Sequence, residues 1–430
     1  MELDKLIEKT ADPDATSNRL QALLDNEQCA RRINEFSDIQ KSGLVQILGI
    51  SRFLSNFLNC HPEAVSLIGT PYQAQEVNNI SDVNELRLFK YHSLLQITWM
   101  DVCNTCPYEM VLSSLSHLAD TVIQIGHRLV AKDSNDFEYN NDIAIMALGK
   151  LGANELNYSS DVDILFVLQD SDDKKRHEMH KYYTQHIRRF CRLLTENTED
   201  GFLYRVDLNL RPWGRSAPLT FSLEEYEEYY QSSKEAWERI AWLRGRYVAG
   251  SKELGAEMVT RLKPFVYHKS LSAEDIERFF KIKRDMSAQR EKEGHWNIKL
   301  GAGGIRDIEF FVQMLQIING GHQPELQITS TVELLKKLNH FGFINNEEVT
   351  ALRESYIFLR RLENRLQMID EQQTHQLPND KDKLQQIAIM MGYAGESIDE
   401  AHAHFNNDLI LHQQTATKYF DTLLTENADY

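Results

Sequence analysis

The sequence predicts an α+β protein, with a small sheet set between two long helical regions. Three observations lead there. Apolar residues recur at helical spacing through the first 130 residues. Short apolar runs of strand length alternate with helical patterns over residues 142–250. Helical spacing dominates again from about residue 222 onward. The expected division is a helical N-terminal region (1–130), a sheet-bearing unit (131–255) and a helical C-terminal domain (256–430).

Composition bounds the function. With 430 residues, the chain is long enough for two or three substantial cores, and 42% hydrophobic against 26% charged is the balance of an ordinary soluble protein. A net charge of −17 argues against non-specific nucleic-acid binding. No apolar run approaches the length of a membrane span. Met1-Glu2-Leu3-Asp4-Lys5 lacks the basic-then-apolar pattern of a signal peptide, so the cytoplasm is the expected compartment. Five scattered cysteines fit reduced thiols. Cys103-Asn104-Thr105-Cys106 has no second pair at zinc-finger spacing and reads as packing at a helix boundary.

Taken in order, Leu88, Phe89, Leu94, Leu95, Ile97 and Trp99 mark one helix, and Met110 through Leu118 to Ile125 another. A polar stretch over 132–141, rich in Asp and Asn, reads as a loop, because those side chains compete for backbone hydrogen bonds. Residues 143–148 then read as a short buried strand and 164–167 as part of a second. Residues 176–195 are helical, with Tyr183, Ile187, Phe190, Leu193 and Leu194 as the buried stripe. Helices follow over 224–230 and 236–242, where Trp237 and Trp242 read as core. Leu352, Leu359, Leu362, Leu366 and Ile369 form one face of a long helix. Its Arg353, Arg360, Arg361 and Arg365 read as a solvated face, with partner binding as the alternative.

Chemistry concentrates between the first two strands, in Gly149-Lys150-Leu151-Gly152-Ala153-Asn154-Glu155-Leu156-Asn157-Tyr158-Ser159-Ser160-Asp161-Val162-Asp163. Asp161 and Asp163 share one strand face, and two adjacent carboxylates repel unless a cation joins them, so a divalent metal is the natural third party. The glycines and serines offer donors to phosphate oxygens. Asp-x-Asp alone is a weak signal: Asp12-Pro13-Asp14 and Asp380-Lys381-Asp382 have the same spacing in polar stretches and read as helix caps or turns.

A second stretch, Tyr204-Arg205-Val206-Asp207-Leu208-Asn209-Leu210-Arg211-Pro212, alternates strictly. It predicts a strand whose polar face carries Arg205, Asp207, Asn209 and Arg211, ended by Pro212. Alternation alone predicts a half-exposed strand. A third carboxylate beside the first two would also complete a two-metal site, with Arg215 as a further cation in the following turn. Finally, Lys299-Leu300-Gly301-Ala302-Gly303-Gly304-Ile305-Arg306-Asp307-Ile308-Glu309-Phe310 is a glycine-rich turn leading into a helix, an anion-cradling pattern flanked by Lys299 and Arg306. There Asp307 and Glu309 serve equally as helix-dipole partners. The spacing matches neither Walker nor Rossmann motifs.

Together these stretches, with Trp237-Glu238-Arg239 and Gln373-Thr374-His375-Gln376-Leu377-Pro378, resemble the bacterial glutamine synthetase adenylyltransferase/adenylyl-removing enzymes. That family belongs to the nucleotidyltransferase superfamily that includes DNA polymerase β. The resemblance implies a small mixed sheet with helices, a polymerase β-like catalytic unit, flanked by all-helical regions. It covers residues 85–378, departing at Ala153, where the family usually has glycine. Full-length members carry two catalytic copies, and the turn at 299–306 looks like the N-terminal copy, which removes AMP. The implied reaction is phosphorolysis of adenylyl-tyrosine on glutamine synthetase by inorganic phosphate, giving ADP. The implied site has two Mg²⁺ on Asp161, Asp163 and Asp207. Gly149, Lys150, Gly152, Ser159, Ser160, Arg205, Arg211, Arg215, Lys299 and Arg306 are the candidates for holding phosphate or adenine nucleotide. The implied partners are adenylylated glutamine synthetase and the PII signal protein. Three alternatives stand beside this reading: the forward adenylyltransferase, a non-catalytic scaffold, and a glycosyltransferase using Asp-x-Asp.

Overall fold

A computed structural model describes residues 3–74, 77, 79–133, 142–199, 201–232, 235–268, 270–294, 296–370, 372–393 and 397–423. Among these, seven helices precede the sheet: α1 (Leu3–Ile7), α2 (Pro13–Leu24), α3 (Glu27–Asn34), α4 (Asp38–Ile50), α5 (Arg52–Cys60), α6 (Val83–Val102) and α7 (Tyr108–Asp133). The sheet region comprises β1 (Ile143–Ala147), α8 (Gly149–Gly152), β2 (Val162–Leu168), α9 (Asp173–Thr195), β3 (Val206–Asp207), β4 (Phe221–Ser222), α10 (Leu223–Ser232), α11 (Ala236–Trp242) and β5 (Arg246–Gly250). Then follow α12 (Lys252–Val266), α13 (Ala273–Glu293), α14 (Ile305–Asn319), α15 (Thr331–His340), α16 (Asn346–Asp370), α17 (Lys381–Met390) and α18 (Ile398–Thr422). Of the loop expected at 132–141, residues 134–141 lie outside the described residues. No helix among the described residues is long and apolar enough to cross a membrane.

The sheet is mixed, as expected. β1 is antiparallel to both β2 and β5, while the far edge of β2 pairs in parallel with β3 and β4. Strand periodicity divides the core. Ile143, Ile145, Ala147, Val162, Ile164 and Phe166 pack with the N-terminal helices and α9; Ala144, Met146, Leu165 and Val167 pack with the helices that follow the sheet. Both faces are covered, which explains why β1 is a continuous apolar run rather than an alternating one.

Local chemistry sets the boundaries. Asp12 accepts from the Ala15 amide at 3.0 Å and Asp380 from the Asp382 amide at 2.8 Å, so both outlying Asp-x-Asp sequences are helix caps. Cys103 ends α6, as the boundary reading required. On α9, Tyr183, Ile187, Phe190 and Leu194 are buried, with Leu193 only half-buried.

Three expectations need correction. The strand predicted over 204–210 is only Val206–Asp207, because the Asp207 carboxylate accepts from the Asn209 amide at 2.7 Å and turns the chain before Pro212 is reached. Trp242 is core, but Trp237 is 42% exposed: five residues place the two about 140° apart around α11, too far to share a face. The arginine run of α16 is solvated only in part: Arg360 and Arg365 are buried, while Arg353 and Arg361 are half-buried. Arg360, Glu363, Asn364 and Gln367 are completely buried, because α16 lies between the helical bundle and the sheet unit and is covered on both sides; its Ile369 is exposed instead.

Candidate active site

The loop joining β1 to β2 begins with a glycine in the left-handed region, hard against Asp163. Gly149 has φ +56°, and a Cβ built there would lie 2.2 Å from Asp163 Oδ2. Gly152 is buried against the protein itself, its would-be Cβ 1.8 Å from the Arg244 carbonyl oxygen, so it packs the loop onto backbone. Ala153 sits at φ −74°, where a methyl group is tolerated, and the positive φ falls on Asn154 instead. Gly149→Ala is expected to lower turnover at least about 100-fold by displacing Asp163, and to destabilise the fold by about 1–2 kcal/mol through the left-handed backbone. Steady-state rates and urea melts check both effects.

Parallel pairing brings the acids together. Asp163 is in register with Asp207 across β2 and β3, both on the sheet face that meets the C-terminal helices. Asp161 stands just before β2, its Oδ1 receiving the Arg205 Nε at 2.6 Å. The same guanidinium donates to the Ser159 carbonyl at 2.7 Å and lies 3.1 Å from its hydroxyl. Burial pushes the Asp163 carboxyl up to about 6, with Asp207 and Asp161 adding to the rise while Lys299 and Lys150 oppose it. Among the described residues, no three acidic, His or Cys side chains converge closely enough to hold a metal ion as they stand; Asp161 is engaged by Arg205.

The cations separate into two groups. Lys299 belongs with the acids, its charge reaching Asp163. It is carried there by a short pairing of residues 296–298 with 375–377: the Ile298 amide donates to the His375 carbonyl at 2.9 Å and the Leu377 amide to the Trp296 carbonyl at 2.8 Å. Lys150 turns inward to Glu363 Oε1 at 2.6 Å, and burial brings its pKa down to about 7 despite that partner. Arg211 points back into its own loop, donating to the carbonyls of Leu208, Arg215, Ala217 and Pro218. Arg215 is exposed and bonds Asn209 Oδ1 at 3.0 Å. Arg306 donates to Gln289 Oε1 at 2.8 Å and lies with Asp307, Glu309 and Glu293 rather than with the β2–β3 acids. The glycines after Lys299 serve close packing: a Cβ on Gly301 would meet the Gly294 carbonyl oxygen at 1.9 Å, and one on Gly303 the Gln413 carbonyl oxygen at 2.1 Å.

Sequence reasoning missed the support beneath this loop. The Ser159 amide donates to Gln367 Oε1 at 3.1 Å, and the Tyr158 amide to Asn364 Oδ1 at 3.3 Å. Arg360 donates to the Glu155 carbonyl and to Asn157 Oδ1, while Glu155 accepts from Tyr356 at 2.7 Å and the Thr331 amide at 2.7 Å. Glu363 lies 2.9 Å from His375 Nδ1 and 3.2 Å from Arg360 Nε, close ion contacts without hydrogen-bond alignment. The usable signal was spacing: positions 360, 363, 364 and 367 form a stripe at i, i+3, i+4, i+7, the pattern of a buried face written in polar residues. Ser160 is buried directly before the acids. Trp213, 61% exposed with φ +55°, crowns the neighbouring turn and was also missed.

Comparison with known proteins adds sequence kinship to this geometry. The family described as Glutamate-ammonia ligase adenylyltransferase matches residues 41–260, just over half of the chain, and GlnD PII-uridylyltransferase matches residues 278–424. The bifunctional glutamine synthetase adenylyltransferase/adenylyl-removing enzyme of Hahella chejuensis (strain KCTC 2396) is 35% identical over 323 residues, 72% of this chain and 34% of that protein. The chain thus spans about a third of the length of this relative.

Proposed function

Because the chain belongs to the glutamate-ammonia ligase adenylyltransferase family, we propose that it is an adenylyl-removing unit that phosphorolyses adenylyl-tyrosine on glutamine synthetase. The observation that supports this reading is Lys299. A cation beside the carboxylates suits the inorganic phosphate of the reverse reaction, as it would the phosphates of ATP in the forward one, so product analysis separates the two directions. Lys299 lies within electrostatic reach of Asp163 and is held in place by the pairing of 296–298 with 375–377.

Asp161, Asp163 and Asp207 offer hard oxygen donors at one edge of the sheet, Asp163 raised by burial and then by Asp207; to hold a metal together they would have to draw closer and release Asp161 from Arg205. That set suits two Mg²⁺ on Asp161, Asp163 and Asp207, which when bound would supply charge stabilisation at the entering and leaving oxygens. The protein's own groups do the rest. Arg205 fixes Asp161 and the Ser159 backbone together, Gly149 leaves open the space its Cβ would fill beside Asp163, and Lys299 orients phosphate. A phosphate oxygen bonds to the α-phosphorus as the bond to the tyrosine oxygen breaks. The phenolate takes a proton, and ADP and free tyrosine leave. A phenol pKa of about 10 makes that departure accessible in either direction. PII is proposed as the regulator, a reading supported by the match of residues 278–424 to GlnD PII-uridylyltransferase.

The test is incubation with adenylylated glutamine synthetase, Mg²⁺ and inorganic phosphate, with nucleotide products resolved. Phosphate-dependent ADP is the expected product; AMP without phosphate dependence, or ATP consumption on unmodified glutamine synthetase, overturns the reading. Lys299→Ala is expected to raise the KM for phosphate at least about 10-fold, with a smaller change in kcat.

A further inference from the structure

A cavity lined by cations lies away from the acids, where α1 and α4 meet α16 and the turn after α17. Its volume is about 310 Å³, the size of a small metabolite. Leu6, Val45, Ile50 and Met390 give it apolar walls, and Lys9, Arg361 and Arg365 also line it, while no acidic side chain among the described residues does. In a chain of net charge −17, a cavity bearing three cations and no acid among its lining residues is a local inversion of the whole protein's balance.

The cations are not equivalent. Arg365 is neutralised by Asp101, with contacts of 2.6 and 2.7 Å, and its Nε is taken by the Met390 carbonyl. Elsewhere on α16, Arg353 pairs with Glu109 and Arg360 with Glu363. Arg361 makes no ion pair among the described residues. Its guanidinium lies 4.8 Å from the Tyr108 ring centroid, and its Nε is buried with no hydrogen-bond acceptor. With no ion pair or hydrogen bond among the described residues, this guanidinium's charge is left for a ligand to meet. Lys9, exposed at the rim, also makes no ion pair among the described residues.

We propose that this cavity is a binding site for a small organic carboxylate, its charged end on Arg361 and Lys9 and its body against the apolar wall. The site is independent of the reading given to the β2–β3 acids.

The test is titration calorimetry of the whole chain with succinate and with phenylacetate, each against its neutral amide. Saturable binding of at least one acid is expected, with its amide at least about 10-fold weaker, as loss of a charge-assisted contact requires. Arg361→Gln is expected to weaken binding at least about 10-fold and Lys9→Gln about threefold, while Lys299→Ala leaves it unchanged. Should Arg361→Gln fail to fold, Lys9→Gln at the exposed rim decides the matter by itself. No saturable heat with either acid, equal binding of acid and amide, unchanged affinity in Lys9→Gln, or loss of binding in Lys299→Ala overturns the proposal.

Discussion

Asp163→Asn is expected to lower turnover at least about 10³-fold, roughly 4 kcal/mol of barrier, while raising the thermal stability of the metal-free protein. The two effects share a cause. Asp163 is buried, with Asp207 and Asp161 beside it, and its carboxyl is pushed up to about 6. Between the ordinary carboxylate range and about pH 6 the folded state therefore binds more protons than the unfolded state, so stability falls as pH rises through that window. At neutral pH the charged group costs of the order of 3 kcal/mol, and asparagine removes that cost. The gap in melting temperature between variant and wild type, measured in chelator, should be largest above pH 7 and close near pH 4. A variant that melts below wild type at pH 7 would place Asp163 among the groups that hold the fold together, rather than among strained functional ones.

Arg360→Ala is the largest expected stability loss, about 3–5 kcal/mol by urea denaturation. The guanidinium is fully buried, donates to Tyr356 at 2.7 Å and to Asn157 at 2.5 Å, lies 3.8 Å from Glu155, and is the second cation, after Lys150, beside Glu363. Truncation leaves two buried carboxylates short of a counter-charge. Glu363 is held well below its ordinary range in the wild type, so that contribution is present above that range and lost as pH falls. The gap between variant and wild type should accordingly shrink in acid. A loss under about 1 kcal/mol at pH 7 would mean water reaches these carboxylates and the buried network contributes little.

The two variants act on different layers of the molecule. Asp163 lies in the stretch where sequence alone pointed to chemistry, since period two placed Asp161 and Asp163 on one face before any coordinates. Arg360 lies where sequence misled. A run of arginines on a long helix resembles a solvated face, because exposed and buried polar stripes share one helical period and differ only in what covers them. Arg211 misled similarly: alternation put it beside Arg205 and Asp207, but the turn at Asn209 ended the strand and sent its guanidinium to four backbone carbonyls.

Local pattern by itself determined the α+β class, the order of helical and sheet-bearing regions and the kinship, and it pointed to the β1–β2 loop as the candidate for chemistry. Each depends on periodicity, turn chemistry or short spacing, which act between near neighbours in the chain. Tertiary structure alone decided which cations accompany the acids. Lys299 arrives there because residues 296–298 pair with 375–377, and Lys150, whose charge also reaches Asp163, is bound by Glu363 from α16. The partners in those contacts are separated by about eighty and two hundred residues, so no local pattern carries them. Only the packing of the C-terminal helices onto the sheet brings them together.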